Sequence, residues 1–175
     1  MSSEASPKPA SIAASALSWL WLSVLVIVLD LGTKFWASSV LLYNDPVPVL
    51  PVFDLRLLHN TGAAFSFLAA ADGWQRWLFA AIALVVSFFI LRWLRETPKS
   101  VASLAMAYTL ILGGALGNLF DRIVHGYVVD FISVHYAGWY FPAFNIADIA
   151  ITCGAALLII DVLFFAKERE TAVTQ

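Results

Sequence analysis

The sequence predicts an all-α membrane protein with four transmembrane helices. Of its 175 residues, 61% are hydrophobic and only 13% are charged, and the mean hydropathy is +0.84. A soluble domain of this length leaves about a third of its chain surface in water, so it cannot hide so many apolar side chains. Four segments also have the roughly 20 mostly apolar residues that a membrane-spanning helix needs. These spans cover about 17–36, 74–94, 101–120 and 144–165.

The composition excludes several other classes of protein. The net charge of −2 leaves no basic surface for nucleic acid, and the single cysteine rules out a disulfide scaffold. That cysteine, Cys153, lies within the fourth span, where a small apolar packing role is predicted. We therefore expect one integral membrane domain over residues 1–175, with no nucleic-acid partner.

The first span contains two charged residues, Asp30 and Lys34. Their spacing of four places them on one helix face, which predicts an ion pair. A cleaved signal peptide is the alternative for this segment, but the apolar stretch is longer than a typical signal and carries both charges.

The loop after the first span has the composition of short strands. Residues 47–58 and 62–68 are apolar and partly β-branched, and Asn60, Thr61 and Gly62 between them are typical of a turn. A small strand structure seated on the membrane surface is predicted here.

Small residues in the last two spans predict close helix packing. Gly113 and Gly117 lie four apart in the third span, and Ala150 and Gly154 lie four apart in the fourth. This spacing lets two membrane helices approach closely. The outer ends of these two spans should therefore be neighbours.

The basic residues predict the orientation in the membrane. Both termini and the short loop between spans two and three hold most of them, and cytoplasmic segments are enriched in Lys and Arg. The tails 1–15 and 166–175 should then be cytoplasmic and the two long loops extracytoplasmic, which is periplasmic in a Gram-negative-type bacterium. The six residues on the predicted cytoplasmic side are Lys8, Arg92, Arg95, Lys99, Lys167 and Arg169.

Ionisable residues at membrane depth are candidates for function because each costs free energy there. Asp148 lies about one turn inside the outer end of the fourth span, and Asp130 lies between apolar neighbours in VVDFI. Two carboxylates held close share one proton and supply an acid and a base, as in aspartic proteases. Asp161, near the cytoplasmic end, is expected to reach the interface and to have no special role.

Asp121 is a weaker catalytic candidate because Arg122 adjoins it. A neighbouring cation keeps a carboxylate ionised, so the two residues are predicted to form a positioning ion pair. Asn118 precedes them by three and four residues, so all three share a face if the helix continues.

Other chemistries compete with the aspartate pair. Lys34 and Ser38 stand four apart, as in a Ser-Lys nucleophile, although a lysine at the interface more often snorkels. No HExxH occurs, and the three histidines lack metal-ligand spacing, so no metal or cofactor is predicted. A proton-coupled transporter using Asp30 and Asp148 as relay groups, and a structural scaffold, are the alternatives from other classes.

Five motifs together resemble the lipoprotein signal peptidase family, also called signal peptidase II. The resemblance covers all four spans and both outward loops in order. The motifs are LDLGTKFW, HNTGAAFSFL, GGALGNLFDRI, VVDFI and FPAFNIADIAITCG.

The resemblance implies a bacterial inner-membrane aspartic endopeptidase that removes signal peptides from diacylglyceryl-modified prolipoproteins, cutting just before the lipidated cysteine. It implies a small periplasmic sheet, the β-cradle, an extracytoplasmic loop over the site, contact with membrane lipids, and inhibition by the cyclic peptide globomycin. The catalytic pair then falls on Asp130 and Asp148. The residues that would line or support the site are Asp30, Asn60, Gly114, Asn118, Arg122, Asn145 and Ala147.

Overall fold

The computed structural model describes residues 15–62 and 73–165 and confirms the four predicted helices. All four are long and apolar enough to cross a membrane, so the chain is a multi-pass membrane protein. A 3₁₀ helix (Ala16–Trp19) leads into α1 (Leu20–Val40), which is followed by α2 (Gln75–Glu96), α3 (Ala102–Val124) and α4 (Ile146–Phe164).

The third helix is longer than its apolar pattern predicts. It continues past Phe120 to Val124, and the chain then turns at Gly126, whose φ of +84° suits glycine after a helix end. The extra turn keeps Asn118, Asp121 and Arg122 on one continuous helix. It also brings their side chains to the level of the two long loops.

Four strands form one antiparallel sheet in chain order. The first loop supplies β1 (Val47–Leu50) and β2 (Phe53–Asn60), which confirms the strand structure predicted at 47–58. The second loop supplies β3 (Val128–Tyr136) and β4 (Trp139–Tyr140). Of the segment predicted at 62–68, residues 63–68 lie outside the described residues. Both long loops therefore meet in one sheet.

The helix α3 lies at the centre of the bundle and packs against the other three helices. The predicted close approach of α3 and α4 is confirmed, because Gly154 Cα lies against the Ala107 carbonyl of α3. Gly113 was expected on the same seam, but it faces Val26 and Ser23 of α1. The glycines of α3 therefore face two different helices, α1 and α4.

Two buried apolar clusters hold the ends of the bundle. One joins the 3₁₀ helix, α2 and α3 around Leu94 and Leu112. The other joins the end of α1 to the sheet, with Ala37 and Leu41 packed on Phe131. The second cluster fixes the sheet on the helices and thereby fixes the residues that the sheet carries.

Candidate active site

The first candidate carboxyl group, Asp130, is carried by the sheet. It lies on β3 opposite Leu58 of β2 and is 2% exposed. Asn60, at the end of β2, donates a hydrogen bond from Nδ2 to Asp130 Oδ2 over 3.0 Å. Strand pairing therefore supplies both the aspartate and one of its partners.

The second carboxyl group, Asp148, lies in the first turn of α4. Asn145 caps this helix, since its Oδ1 accepts from the Asp148 backbone N–H at 3.0 Å. In return the Asn145 backbone N–H donates to Asp148 Oδ2 at 3.2 Å, which completes a capping box. The cap fixes Asp148 at the positive end of the helix dipole.

Two asparagines join the two aspartates. Asn145, which is fully buried, donates from Nδ2 to Asp130 Oδ1 at 2.7 Å. Asn118 of α3 donates from Nδ2 to Asp148 Oδ1 at 2.8 Å. Asp130 and Asp148 lie 18 positions apart in the chain, and Asn145 contacts both of them. Both asparagines are uncharged, so these hydrogen bonds add no charge to the pair.

The environment of Asp130 favours its protonated form. Burial away from water, together with the nearby Asp148 carboxylate, raises the pKa of Asp130 from 3.8 to about 7. The hydrogen bonds from Asn60 and Asn145 act in the opposite direction and are weaker. A carboxyl group that still holds its proton near neutral pH is suited to be a general acid.

A buried cluster of charges lies beside the pair. The Lys34 ammonium contacts Asp30 at 2.7 Å, as predicted, and also Asp121 at 3.0 Å. Asp30 accepts from the backbone N–H of Ala147 at 2.9 Å, and Asp121 accepts from that of Val129 at 3.0 Å. The cluster ties α1, α3, α4 and β3 together.

The predicted ion pair of Asp121 with Arg122 is wrong. Asp121 pairs with Lys34, whereas Arg122 donates to the backbone carbonyls of Asn118 at 3.2 Å and Gly62 at 3.4 Å. Consecutive residues on a helix point in different directions, so neighbours in sequence do not pair. Within the described ranges no ion pair reaches Asp130 or Asp148, although the Arg122 guanidinium interacts electrostatically with both.

A cavity of about 700 Å³ opens beside the pair, between α2 and α4 and over α3. Its polar end holds Asp148, Asn118, Arg122 and Asn60. The rest of its wall is mainly apolar and comes from the helices and the segment before α4. The apolar lining includes Phe79, Ile82, Ala83, Val86, Ile111, Ala115, Phe141, Phe144, Ile149 and Ile151.

Gly114 and Ala147 act through the backbone. A Cβ on Gly114 would meet the Ala147 carbonyl oxygen, so the glycine allows α3 and α4 to touch immediately beside Asp148. The structure thus brings together the predicted set of site residues. They are Asp130, Asp148, Asp30, Asn60, Gly114, Asn118, Arg122, Asn145 and Ala147.

Three other expectations need correction. Lys34 does not snorkel to the interface, since it is 3% exposed and fully paired. Asp161 does not reach the interface either, because it is buried and accepts from Ser103 at 2.5 Å. Cys153 is exposed at the cavity wall and does not fill a packing gap. Among the described residues, no group of three or more His, Cys, Asp or Glu side chains could hold a metal ion.

The sequence analysis missed the contact of Lys34 with Asn118, which measures 2.9 Å. Two observations on the sequence pointed toward this contact. Asn118 and Asp121 share a helix face, and the Lys34 cation needs partners at membrane depth. Neither observation identifies a partner 84 residues away.

Comparison with known proteins gives consistent similarities. Residues 22–164 match the family model described as signal peptidase (SPase) II. A lipoprotein signal peptidase of Acinetobacter baumannii is 60% identical over 153 residues, which is 87% of each chain. Another, from Pseudomonas aeruginosa, is 53% identical over 158 residues, covering 89% of this chain and 94% of that protein.

Solved structures share the fold. One, described as a bacterial membrane enzyme determined by the in meso method at 2.3 Å resolution, has a TM-score of 0.74 and 30% identity. It covers 83% of this chain and 87% of its own. A second at 1.9 Å resolution has the same TM-score at 29% identity and covers 85% and 94%.

Proposed function

The chain belongs to the signal peptidase II family, and we propose that Asp130 and Asp148 are the carboxyl pair with which it cuts peptide bonds. The activity itself follows from the family: the chain is a membrane peptidase that removes signal peptides from prolipoproteins. The observation that carries the proposal is Asn145, which binds Asp130 through its side chain and Asp148 through its backbone.

The two aspartates differ in position, which supports different roles. Asp148 lines the cavity, while Asp130 is buried behind it. Asp148 takes a proton from a water molecule as that water attacks the scissile carbonyl carbon, and Asp130 donates its proton to the carbonyl oxygen. Collapse of the tetrahedral intermediate then breaks the C–N bond, and the amine leaves with a proton from the pair.

The cavity supports a lipid-modified substrate. Its apolar wall belongs mainly to membrane helices, and its polar end holds one of the aspartates. A diacylglyceryl group has acyl chains that favour such a wall and a linkage that must lie near the scissile bond. We propose that the bond cut is the one just before the lipidated cysteine, and that membrane lipids fill the cavity between substrates.

A comparison of two substrates tests this proposal. The purified protein in detergent is incubated with a diacylglyceryl-modified prolipoprotein and with the same chain without lipid. We expect cleavage of the lipidated form to be at least about tenfold faster, because a buried acyl chain gains about 0.8 kcal/mol per methylene. Globomycin should compete with the lipidated form. Equal rates for both forms would contradict acyl binding in the cavity.

The orientation and location are also proposals. We place residues 1–175 in the bacterial inner membrane as a single peptidase domain, with both tails cytoplasmic and the sheet and aspartate pair near the periplasmic face. Support comes from the predicted basic bias of the tails and of the loop at Thr97. The loop at Thr97 joins the end of α2 to the start of α3, whereas the strands follow the ends of α1 and α3. The sheet therefore lies at the opposite end of the bundle from that loop.

Cysteine labelling tests this orientation. In a Cys153→Ala background, a cysteine at Asp45 should react with an impermeant thiol reagent in intact spheroplasts, whereas one at Thr97 should react only after lysis. Asp45 is exposed in the loop after α1 and Thr97 is half-buried in the loop after α2. Labelling of position 97 that appears only on lysis therefore reports sidedness and not burial. Labelling of position 97 before lysis, with protection of position 45, would invert the orientation.

A further inference from the structure

Lys34 lies beside the aspartate pair without contributing to the cavity wall. Its ammonium group has three N–H donors and no acceptor. The three acceptors that surround it are Asp30 Oδ2 at 2.7 Å, Asp121 Oδ2 at 3.0 Å and Asn118 Oδ1 at 2.9 Å. This buried cation therefore donates hydrogen bonds to Asp30 and Asn118 and forms an ion pair with Asp121. It cannot act as the base of a Ser-Lys pair with Ser38 while these contacts hold.

The contact with Lys34 helps to set the direction of the Asn118 side-chain amide, whose Oδ1 accepts from Lys34 at 2.9 Å and, over a longer distance of 3.3 Å, from Asn145 Nδ2. Only the oxygen of an amide accepts a hydrogen bond, so the Lys34 ammonium fixes Oδ1 of Asn118 toward itself. The Nδ2 group of Asn118 must then point the other way, where it donates to Asp148 Oδ1 at 2.8 Å. The reversed amide would place N–H groups against an ammonium and an oxygen against a carboxylate.

We propose that Lys34 is a positioning residue for the cleavage reaction, acting on Asp148 through Asn118. The proposal rests on the catalytic role proposed for Asp148. Asp30 strengthens the effect, because it links Lys34 to the backbone N–H of Ala147, the residue before Asp148. The carboxylate that accepts the proton of water is thus oriented from two directions by one cation.

A double-mutant cycle with Lys34→Met and Asn118→Ala tests the proposal. Each single variant should lower kcat by about tenfold or more with little change in KM, because neither substitution removes the apolar cavity wall. The double variant should be only slightly slower than Asn118→Ala, because in that background only the contact through Asp30 and Ala147 is left for Lys34 to act through. The pH profile of kcat should change in the same way in both single variants. Lys99→Met makes the same substitution at an exposed lysine away from the site and should leave kcat unchanged.

Independent losses would overturn the proposal. If the fold-losses of the two single variants multiply in the double variant, Lys34 has a structural role that does not pass through Asn118. Wild-type kcat in Lys34→Met would overturn it as well. If Lys34→Met fails to accumulate, the cycle is repeated in an Asp30→Asn background. Lys34→Met and Asp30→Asn together remove one buried charge of each sign, so the variant does not leave Asp30 as an unpaired carboxylate. Turnover retained by Asp148→Asn would instead refute the catalytic role itself, so the two failures are distinguishable.

Discussion

Replacing either Asp130 or Asp148 with asparagine is expected to abolish cleavage in a protein that still folds. Asparagine keeps the size of aspartate and can hydrogen-bond, but it cannot exchange a proton at working pH. General acid–base catalysis contributes about 10²- to 10⁴-fold, so each variant should lose at least that factor in kcat. The double variant should be scarcely slower than either single one, because members of one catalytic unit are not additive.

The pH dependence of stability gives an independent check on Asp130. Its pKa is about 7 in the folded protein against 3.8 for an unperturbed aspartate, so the folded state binds the proton more tightly. Stability that depends on this proton is fully present below about pH 3.8 and is lost as the pH rises through about 7. Asp130→Asn is neutral throughout and should therefore melt at or above the wild-type temperature near pH 8, with the difference vanishing in acid.

Activity should respond to the same proton. As the pH rises through about 7, Asp130 loses the proton that it donates, so wild-type kcat should fall on the alkaline side. The rates are measured across this range with the lipidated substrate.

Asp54→Asn is a matched control for these variants. Asp54 is also a buried aspartate of the sheet, but its Oδ2 lies 3.1 Å from His135 Nε2, at the other end of the β2–β3 pairing. Its loss should leave kcat within about twofold to threefold even if the melting temperature falls. Substantial turnover by Asp130→Asn or Asp148→Asn would contradict the carboxyl pair and return attention to other nucleophiles.

The fold was predictable from the sequence because hydrophobic length determines membrane helices. The four spans follow from runs of about 20 apolar residues, and the structure moves their ends by only a few residues. The helix α3 is the exception, since it continues for one more turn, which carries Asp121 and Arg122, beyond the apolar run. A span predicted from hydropathy ends at the first polar residues, although the backbone of α3 continues as a helix through them to Val124.

The pairing of the two long loops was less accessible to sequence reasoning. Alternating apolar residues predict strands in the first loop, but the β2–β3 register joins residues about 70 positions apart. Such pairing depends on where α1 and α3 place the loop ends, which a local pattern does not contain. The register matters because it places Asn60 within hydrogen-bonding distance of Asp130.

The charged residues show the same limit. The spacing of Asp30 and Lys34 predicts their contact because residues four apart share a helix face. The second carboxylate on Lys34, Asp121, comes from another helix, and its neighbour Arg122 suggested a different partner. The motifs therefore contain residues that the fold brings together, while three-dimensional packing determines their contacts.

Gly114→Ala is expected to cause the largest loss of stability among single-methyl additions at this site. The new Cβ would overlap the Ala147 carbonyl oxygen and approach Ile151 Cγ1 to 2.7 Å, and the first of these is helix backbone that cannot turn aside. The helices α3 and α4 must then separate, at a cost of about 1–3 kcal/mol. Because Asp148 follows Ala147, the separation also displaces the carboxylate, and a shift of about 1 Å is enough to lower activity by about a hundredfold.

Gly32→Ala makes the same change on α1 where a Cβ has no neighbour within 4 Å. Alanine there only reduces the conformational freedom of the unfolded chain, so the variant should be neutral or more stable by about 0.5–1 kcal/mol. Thermal unfolding in one detergent, with kcat on the lipidated substrate, compares the two variants. Equal melting temperatures would show that α3 and α4 accommodate the methyl group, and the close approach of Gly114 to Ala147 would then not be what holds Asp148 against Asn118.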